Sequence, residues 1–403
     1  MLPRTYYPII QEHLAHYQQM LFLAGPRQVG KTTLLRYAQE KRERFRYCNW
    51  DNWTDREKIL RGHAYLLSDL DLDVVSLQKP VVALDEIHKY GQWKTFLKGL
   101  YDAHKEDLSI LVTGSSKLDL YRRRGDSLMG RYFLYRVHPF SIGELVRPAP
   151  GIGFLDAPTK VSAAQLEGLL LFGGFPEPFL AQERRFYNRW QARREQQMIF
   201  EDIRELSQIH ALTQLQLLAD LLKHQAGAPI KYSRLANKVK VSQPTIQAWM
   251  SVLENFYYCF TVRPWTENVA RSLLKAPKVY LWDWSRVPDR GAQAENLVAS
   301  HLLKSIHYWT DMGRGEYGLY FVRTKDKKEV DFMVTENDKP WLLVEVKASP
   351  RASLNPHLTH FKETLNIPYA FQVALDMPYM DVDCRSLKRP QIMPLVTFLS
   401  QLV

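Results

Sequence analysis

Cysteine is scarce: Cys48, Cys259 and Cys384 are the only three in 403 residues, and no two form a C-x-x-C pair. That spacing speaks against a zinc site and more strongly against a disulfide framework; reduced, semi-buried thiols in the cytosol are the simplest reading. Long apolar runs are missing too. No stretch approaches the roughly 20 apolar residues that span a bilayer, and the opening MLPRTYYPIIQEHL lacks an apolar signal core. The expectation is a cytoplasmic protein with no membrane partner. Tandem repeats and low-complexity tracts are also absent. What remains, at 46% hydrophobic and 24% charged residues, is ordinary folded protein with room for two to four domains.

The formal net charge of +11 is unevenly spread. Residues 1–180 hold 24 basic and 20 acidic side chains, 181–290 hold 17 and 10, and 291–403 hold 13 of each. About a quarter of the chain therefore carries most of the excess. That is the footprint of a polyanionic partner, although arginines on solvated helices produce the same count.

Apolar runs ending near glycine or acidic residues recur at 20–25, 45–50, 81–86, 109–114 and 132–137, separated by polar helical stretches. Strands alternating with helices imply an α/β fold with a parallel sheet covered on both faces. HPFSIGEL closes that unit, and the proline- and glycine-rich PAPGIGF follows it. The pattern then changes, giving an expected organisation of a P-loop domain over 1–155, a helical linker or lid over 156–211, a winged-helix-like unit over 212–284 and an α/β unit over 285–403.

Gly25-Pro26-Arg27-Gln28-Val29-Gly30-Lys31-Thr32 matches G-x-x-x-x-G-K-[ST], sits between a strand and a helix, and is followed by Thr33. Backbone N–H groups of such a loop cradle phosphate, Lys31 reaches the β- and γ-phosphates of ATP, and Thr32 ligates Mg²⁺. The strand VVALDEIH delivers Asp85 and Glu86 to the same sheet edge. Asp85 would hold Mg²⁺ through water and Glu86 would polarise the attacking water, a helix-capping acidic pair being the alternative. Ser115 or Ser116, after SILVTG, would touch the γ-phosphate or the lytic water, or simply cap a helix. Arg131 would offset transition-state charge in a neighbouring subunit, while Arg122 to Arg124 also read as a solvated basic helix end.

GPRQVGKT, LDEIH, LVTGSS, MGRY and HPFSIGEL together resemble the AAA+ ATPases of archaea and bacteria that carry a C-terminal domain of uncharacterised function. GGFPE, EDI, LLKAPKVYLWD and EVDFMV extend that resemblance over nearly the whole chain. It implies an AAA+ architecture and a homo-oligomer, with a hexamer as the family default, and it leaves the substrate open.

In the middle segment, 213–225 is amphipathic, 232–239 reads as a short helix, and Ser242 caps a helix from Gln243 to Glu254 with Pro244 in its first turn. The last two helices around a short turn match a helix-turn-helix, with FYYCFTVRPW as its wing. Gln243, Thr245 and Gln247, with Lys238 and Lys240, would face DNA; a plain packing or protein-docking unit is the alternative. Further on, EVDFMVT and WLLVEVKAS alternate so that Asp331, Glu345 and Lys347 share one sheet edge, with Glu295 on an upstream helix. An Asp followed by Glu-x-Lys on the next strand resembles the PD-(D/E)XK nuclease core, although the proline usual before the aspartate is missing. The resemblance implies Mg²⁺ held by Glu295, Asp331 and Glu345, with Lys347 positioning a water. A hairpin with an exposed polar face is the plainer reading. The leading function is thus Mg²⁺-dependent ATP hydrolysis coupled to nucleic acid, DNA above all and branched DNA among the candidates. The alternative is an ATP-gated scaffold with a degenerate, docking C-terminal domain.

Overall fold

The computed structural model describes residues 2–72, 78–114, 128–151, 153–204, 209–266, 275–324, 326, 328–349 and 351–403. The chain divides into two compact units, Met1–His138 and Pro139–Val403.

The first unit opens with α1 (Tyr6–His16), followed by β1 (Met20–Ala24), α2 (Lys31–Glu40), β2 (Phe45–Asn49), α3 (Trp53–Leu60) and α4 (His63–Leu67). It continues through β3 (Val81–Asp85), α5 (Trp93–His104), β4 (Ser109–Gly114) and β5 (Tyr132–Arg136). The strands form one sheet in the order β2-β3-β4-β1-β5, and every neighbouring pair is parallel. Strands β1, β3 and β4 are buried along their whole length. Burial on both faces is why they read as continuous apolar runs instead of alternating ones. Parallel register brings the C-terminal ends of β1 and β3, and the loops that leave them, to one edge of the sheet.

The second unit begins with α6 (Ile142–Val146), α7 (Ala163–Phe172), α8 (Pro176–Ala181) and α9 (Arg184–Gln196), the last running on as a π-helical turn over Gln197–Ile203. Next come α10 (Leu212–Lys223), α11 (Tyr232–Val239), α12 (Gln243–Asn255), β6 (Cys259–Pro264), β7 (Lys278–Leu281) and α13 (Arg290–Asp311). Strands β8 (Tyr317–Arg323), β9 (Glu329–Glu336) and β10 (Lys339–Lys347) precede α14 (Pro356–Thr364), β11 (Tyr369–Ala374), β12 (Gln391–Pro394) and α15 (Leu395–Ser400). The sheet order is β12-β11-β10-β9-β8-β6-β7. Strand β6, expected as a wing, pairs antiparallel with β7 and parallel with β8 through Arg263 and Pro264, so it belongs to the C-terminal sheet. Pairing over only two residues leaves no periodic trace in the sequence.

The first compact unit closes at His138, and a buried ion pair holds the segment that follows within the second unit. The Lys304 ammonium on α13 donates to Glu144 Oε2 at 2.5 Å, Ser141 Oγ at 2.8 Å and Pro139 O at 3.2 Å. HPFSIGEL is therefore anchored, from Pro139 onward, to the second unit. One turn away, His301 Nε2 accepts from the Ile142 N–H at 2.9 Å while Nδ1 faces the Leu297 carbonyl at 2.8 Å. Only a neutral ring with its proton on Nδ1 satisfies both. All three cysteines are free and buried. Among the described residues no helix is long and apolar enough to cross a membrane.

Burial lowers the His301 imidazole from 6.5 to about 3, despite the Leu297 carbonyl. The unfolded chain binds a proton below pH 6.5 that the folded protein refuses, so stability is lost as pH falls through that window. Unfolding free energies at pH 7 and pH 5 should differ by about 2 kcal/mol more in the wild type than in His301→Gln. Equal acid losses in the two proteins would remove His301 as a cause.

Candidate functional site

The loop between β1 and α2 is built on unusual backbone. Gly25 has φ 157°, Gln28 61° and Gly30 99°, and Gly30 caps α2. A Cβ at Gly25 would stand 2.3 Å from the Val137 carbonyl oxygen, so only glycine fits. The loop is braced from the N-terminus: buried Arg4 donates to Val29 O at 2.8 Å and His138 O at 2.7 Å, and Tyr6 OH accepts from the His138 N–H at 2.9 Å. Pro26 and Val29 are buried, Arg27 is half-buried, and Thr32 and Thr33 lie half-buried in the first turn of α2.

Lys31 is buried and folded back on this loop, donating to Gly25 O and Pro26 O at 2.8 Å each. Among the described residues it makes no ion pair. Burial lowers its ammonium to about 8, against the pull of Glu86 and Asp85. Its direct partners are thus two carbonyl oxygens, with both carboxylates acting only at longer range.

Thr32 Oγ1 donates to Asp85 Oδ2 at 2.8 Å, joining α2 to the end of β3. Tyr47 OH on β2 donates to the same oxygen at 2.7 Å, and Thr113 on β4 donates to Oδ1. Three hydroxyls thus fix one carboxylate. The next residue, Glu86, sits at φ 57°, a left-handed conformation costly for a side chain with a Cβ. Its Oε2 is buried and accepts no hydrogen bond among the described residues; His88 Nε2 lies 3.7 Å away and Lys89 Nζ 3.8 Å. Burial raises the Glu86 carboxyl, opposed by Lys31 and Lys89. The strained turn thus brings an under-solvated carboxylate out beside Asp85. Sequence reading missed Arg4, Tyr47 and Thr113, which act across 25 to 134 positions of chain.

This donor set fits a nucleotide with Mg²⁺. Mg²⁺ needs few protein oxygens, and Thr32 and Asp85 are the residues that would hold it. When bound, it would neutralise phosphate charge. Ser115 and Ser116 lie outside the described residues. Arg131 is tied to Asp102 by a bidentate pair at 2.7 and 3.1 Å.

In the second unit, the turn between α11 and α12 passes through Lys240 at φ 60°, and Ser242 Oγ accepts from the Thr245 N–H at 3.2 Å. Leu235, Ala236, Val239, Ile246, Trp249, Met250 and Leu253 point into the core. Gln243, Gln247, Lys238 and Lys240 are exposed and Thr245 is half-buried. Lys231, Arg234 and Lys238 are also exposed along one face.

The C-terminal carboxylates do converge. The Asp331 N–H approaches Glu345 Oε2 at 3.4 Å, Asp331 Oδ2 accepts from the Val346 N–H at 3.0 Å, and Lys347 Nζ donates to Glu345 Oε1 at 2.7 Å. Glu295 joins them through a residue that sequence reading did not single out. Buried Lys278 on β7 places its Nζ 3.2 Å from Glu295 Oε1, 2.9 Å from Glu329 Oε1 and 3.3 Å from Asp331 Oδ1. Tyr280 OH donates to Glu295 Oε1 at 2.7 Å. Burial works to lower the Lys278 ammonium, and Glu295, Asp331 and Glu329 outweigh it, raising it above the ordinary lysine value. Burial and Asp331 push Glu295 up to about 7, against the pull of Lys278. As they stand, these oxygens do not fit a divalent ion, because an ammonium sits among them. Among the described residues no group of three or more His, Cys, Asp or Glu side chains is arranged to hold a metal. A lysine opening the otherwise apolar strand KVYL was the available signal.

The first unit thus carries, at one edge of a parallel sheet, a glycine-bounded loop and two strand-end carboxylates. Residues 17–146 match the family model described as an AAA domain. Residues 163–287 and 290–382 match models described as domains of unknown function, DUF8612 and DUF4143. The chain is similar to the uncharacterized protein Rv2008c of Mycobacterium tuberculosis, 22% identical over 84% of this chain and 73% of that protein. It is also similar to the uncharacterized protein MJ1637 of Methanocaldococcus jannaschii, 27% identical over 68% and 63%. Among solved structures, AMPPCP-bound DnaA from Aquifex aeolicus aligns at 13% identity over 62% of this chain and 87% of its own, with a TM-score of 0.33, too distant to bear on function.

Gly25→Ala should weaken nucleotide binding by at least about tenfold, since the new methyl forces the loop away from Val137. Titration with a fluorescent ATP analogue measures this. Wild-type affinity in the variant would mean that the loop does not cradle phosphate.

Proposed function

We propose that this protein hydrolyses ATP at the Lys31 site and couples turnover to nucleic acid held by α11 and α12. The observation that carries the first half is the buried Lys31 ammonium, which lacks a carboxylate partner among the described residues and faces the loop where the terminal phosphates of ATP would lie. Thr32 and Asp85 would hold Mg²⁺. Glu86 would accept the proton of the attacking water, its burial and missing hydrogen bond keeping the carboxylate basic. Backbone N–H groups from Arg27 to Thr32 would position the phosphates, with Gly25 and Pro26 shaping the loop, and Ser115 or Ser116 would complete the set from the segment after β4.

The nucleic-acid half rests on charge and shape. Lys231, Arg234 and Lys238 lie along the first helix of a helix-turn-helix, where phosphates are met, and Gln243 and Gln247 are exposed at the start of the second. DNA is the favoured polyanion. Assembly into a homo-oligomer, with Arg131 completing a neighbour's site, would require its pair with Asp102 to open. Three free, buried thiols support a reducing, cytoplasmic setting. The second reading, an ATP-gated scaffold whose C-terminal domain docks without cutting, is favoured by Lys278 among the carboxylates.

Lys31→Ala should abolish ATP binding, whereas Glu86→Gln should bind ATP and lose turnover. Phosphate release from ATP, measured with and without single-stranded, duplex and four-way DNA, checks both halves. Wild-type turnover by Glu86→Gln at saturating ATP would sink the proposed role of Glu86; turnover indifferent to every nucleic acid would leave only the ATPase. Replacing Lys231, Arg234 and Lys238 together by alanine should weaken duplex binding and lower its salt slope by about 1 for each phosphate that is no longer neutralised. Unchanged anisotropy titrations would count against this surface.

A further inference from the structure

The carboxylates of Glu295, Glu329, Asp331 and Glu345 gather in one part of the second unit, and they already face a cation of the chain itself. Lys278 Nζ touches three of the four carboxylates within 3.3 Å. The fourth, Glu345, is taken by Lys347. The Lys278 ammonium also lies 5.4 Å from the centre of the Phe321 ring, so its remaining side meets an aromatic face instead of water. Its side chain is 3% exposed, against 38% for Lys347. A side chain buried to that degree cannot swing into solvent without opening the packing around β7. A divalent ion entering the same space would meet the ammonium at close range, in buried surroundings that screen repulsion weakly.

The other carboxylate oxygens are committed in ways that suit a lysine. Tyr280 OH donates to the same Glu295 oxygen that Lys278 touches. Asp331 Oδ2 is turned away to receive the Val346 N–H, leaving Oδ1 for the ammonium. An ammonium donates to three separate acceptors without demanding an octahedron, whereas Mg²⁺ imposes one.

We propose that Lys278 is the resident cation of this pocket, occupying a latent divalent-metal site made by Glu295, Asp331 and Glu345, so that the wild-type domain takes up no metal there. It follows that the domain does not cut nucleic acid by a metal-activated water, and that loss of the lysine alone opens the site. The inference concerns the second unit and does not depend on ATP hydrolysis by the first, so the two fail separately.

Mn²⁺ titration of the full-length, nucleotide-free protein, followed by electron paramagnetic resonance, tests it. Wild type and Lys278→Arg, which keeps the cation, should show no saturable site dependent on Asp331. Lys278→Ala should gain one, and its unfolding temperature should rise with Mn²⁺ while that of the wild type does not. Adding Asp331→Asn to Lys278→Ala should abolish the gain. A folded Lys278→Ala protein that gains no Mn²⁺ overturns the proposal. Where Lys278→Ala does not fold even with Mn²⁺, the wild type decides alone. Mn²⁺ bound by wild type and lost in Glu295→Gln or Asp331→Asn overturns the idea, as does metal-dependent DNA cleavage that Asp331→Asn removes. Absence of both supports it.

Discussion

A charge removed from water must be met by another charge or by well-aimed dipoles, and two buried lysines meet that demand in opposite ways. Lys31 is given carbonyl dipoles and, among the described residues, no carboxylate at ion-pair distance. Lys278 is given three carboxylates and an aromatic face. The first arrangement leaves the ammonium without an ion pair among the described residues; the second surrounds it with acceptors. Much of what distinguishes the two halves of the chain follows from that difference.

Around Lys31, the surroundings keep the incompleteness in place. Asp85 is close enough to raise the ammonium but is itself spent on Thr32, Tyr47 and Thr113. Glu86 is held apart by a left-handed turn and stays short of hydrogen bonds. Either carboxylate, turned onto Lys31, would satisfy the lysine internally with an ion pair. Three hydroxyl donors and one strained residue prevent this collapse, which gives the strain a physical use.

The first sheet was legible because parallel, doubly buried strands leave unbroken apolar runs: the run at 20–25 met Met20–Ala24, and 109–114 met Ser109–Gly114. The helix over 243–254 was legible through Ser242 and Pro244, which mark its start chemically. Pairings closed by long-range folding were not legible. Arg4 reaches its partners over 25 and 134 residues, and Lys278 meets Asp331 over 53. The alternation in β9 and β10 puts Asp331, Glu345 and Lys347 on one edge, yet cannot say which cation sits among the acids, because Lys278 arrives from β7 by way of the sheet's tertiary path. HPFSIGEL follows the first sheet in sequence and reads with it; the buried Lys304–Glu144 pair, set by a helix more than 150 residues later, ties it to the second compact unit.

The strand order also has a consequence for the growing chain on the ribosome. Strand β1 lies between β4 and β5, and the loop after it leans on Val137 and is clamped with His138 through Arg4. The phosphate loop is therefore among the first segments made and among the last to acquire its walls. Until residue 138 has left the exit tunnel, β1 lacks a neighbour and the Val29 clamp lacks its second anchor. Long-range pairing of this kind is slow to close. The loop around Lys31 therefore reaches its final form only when the whole first unit is complete.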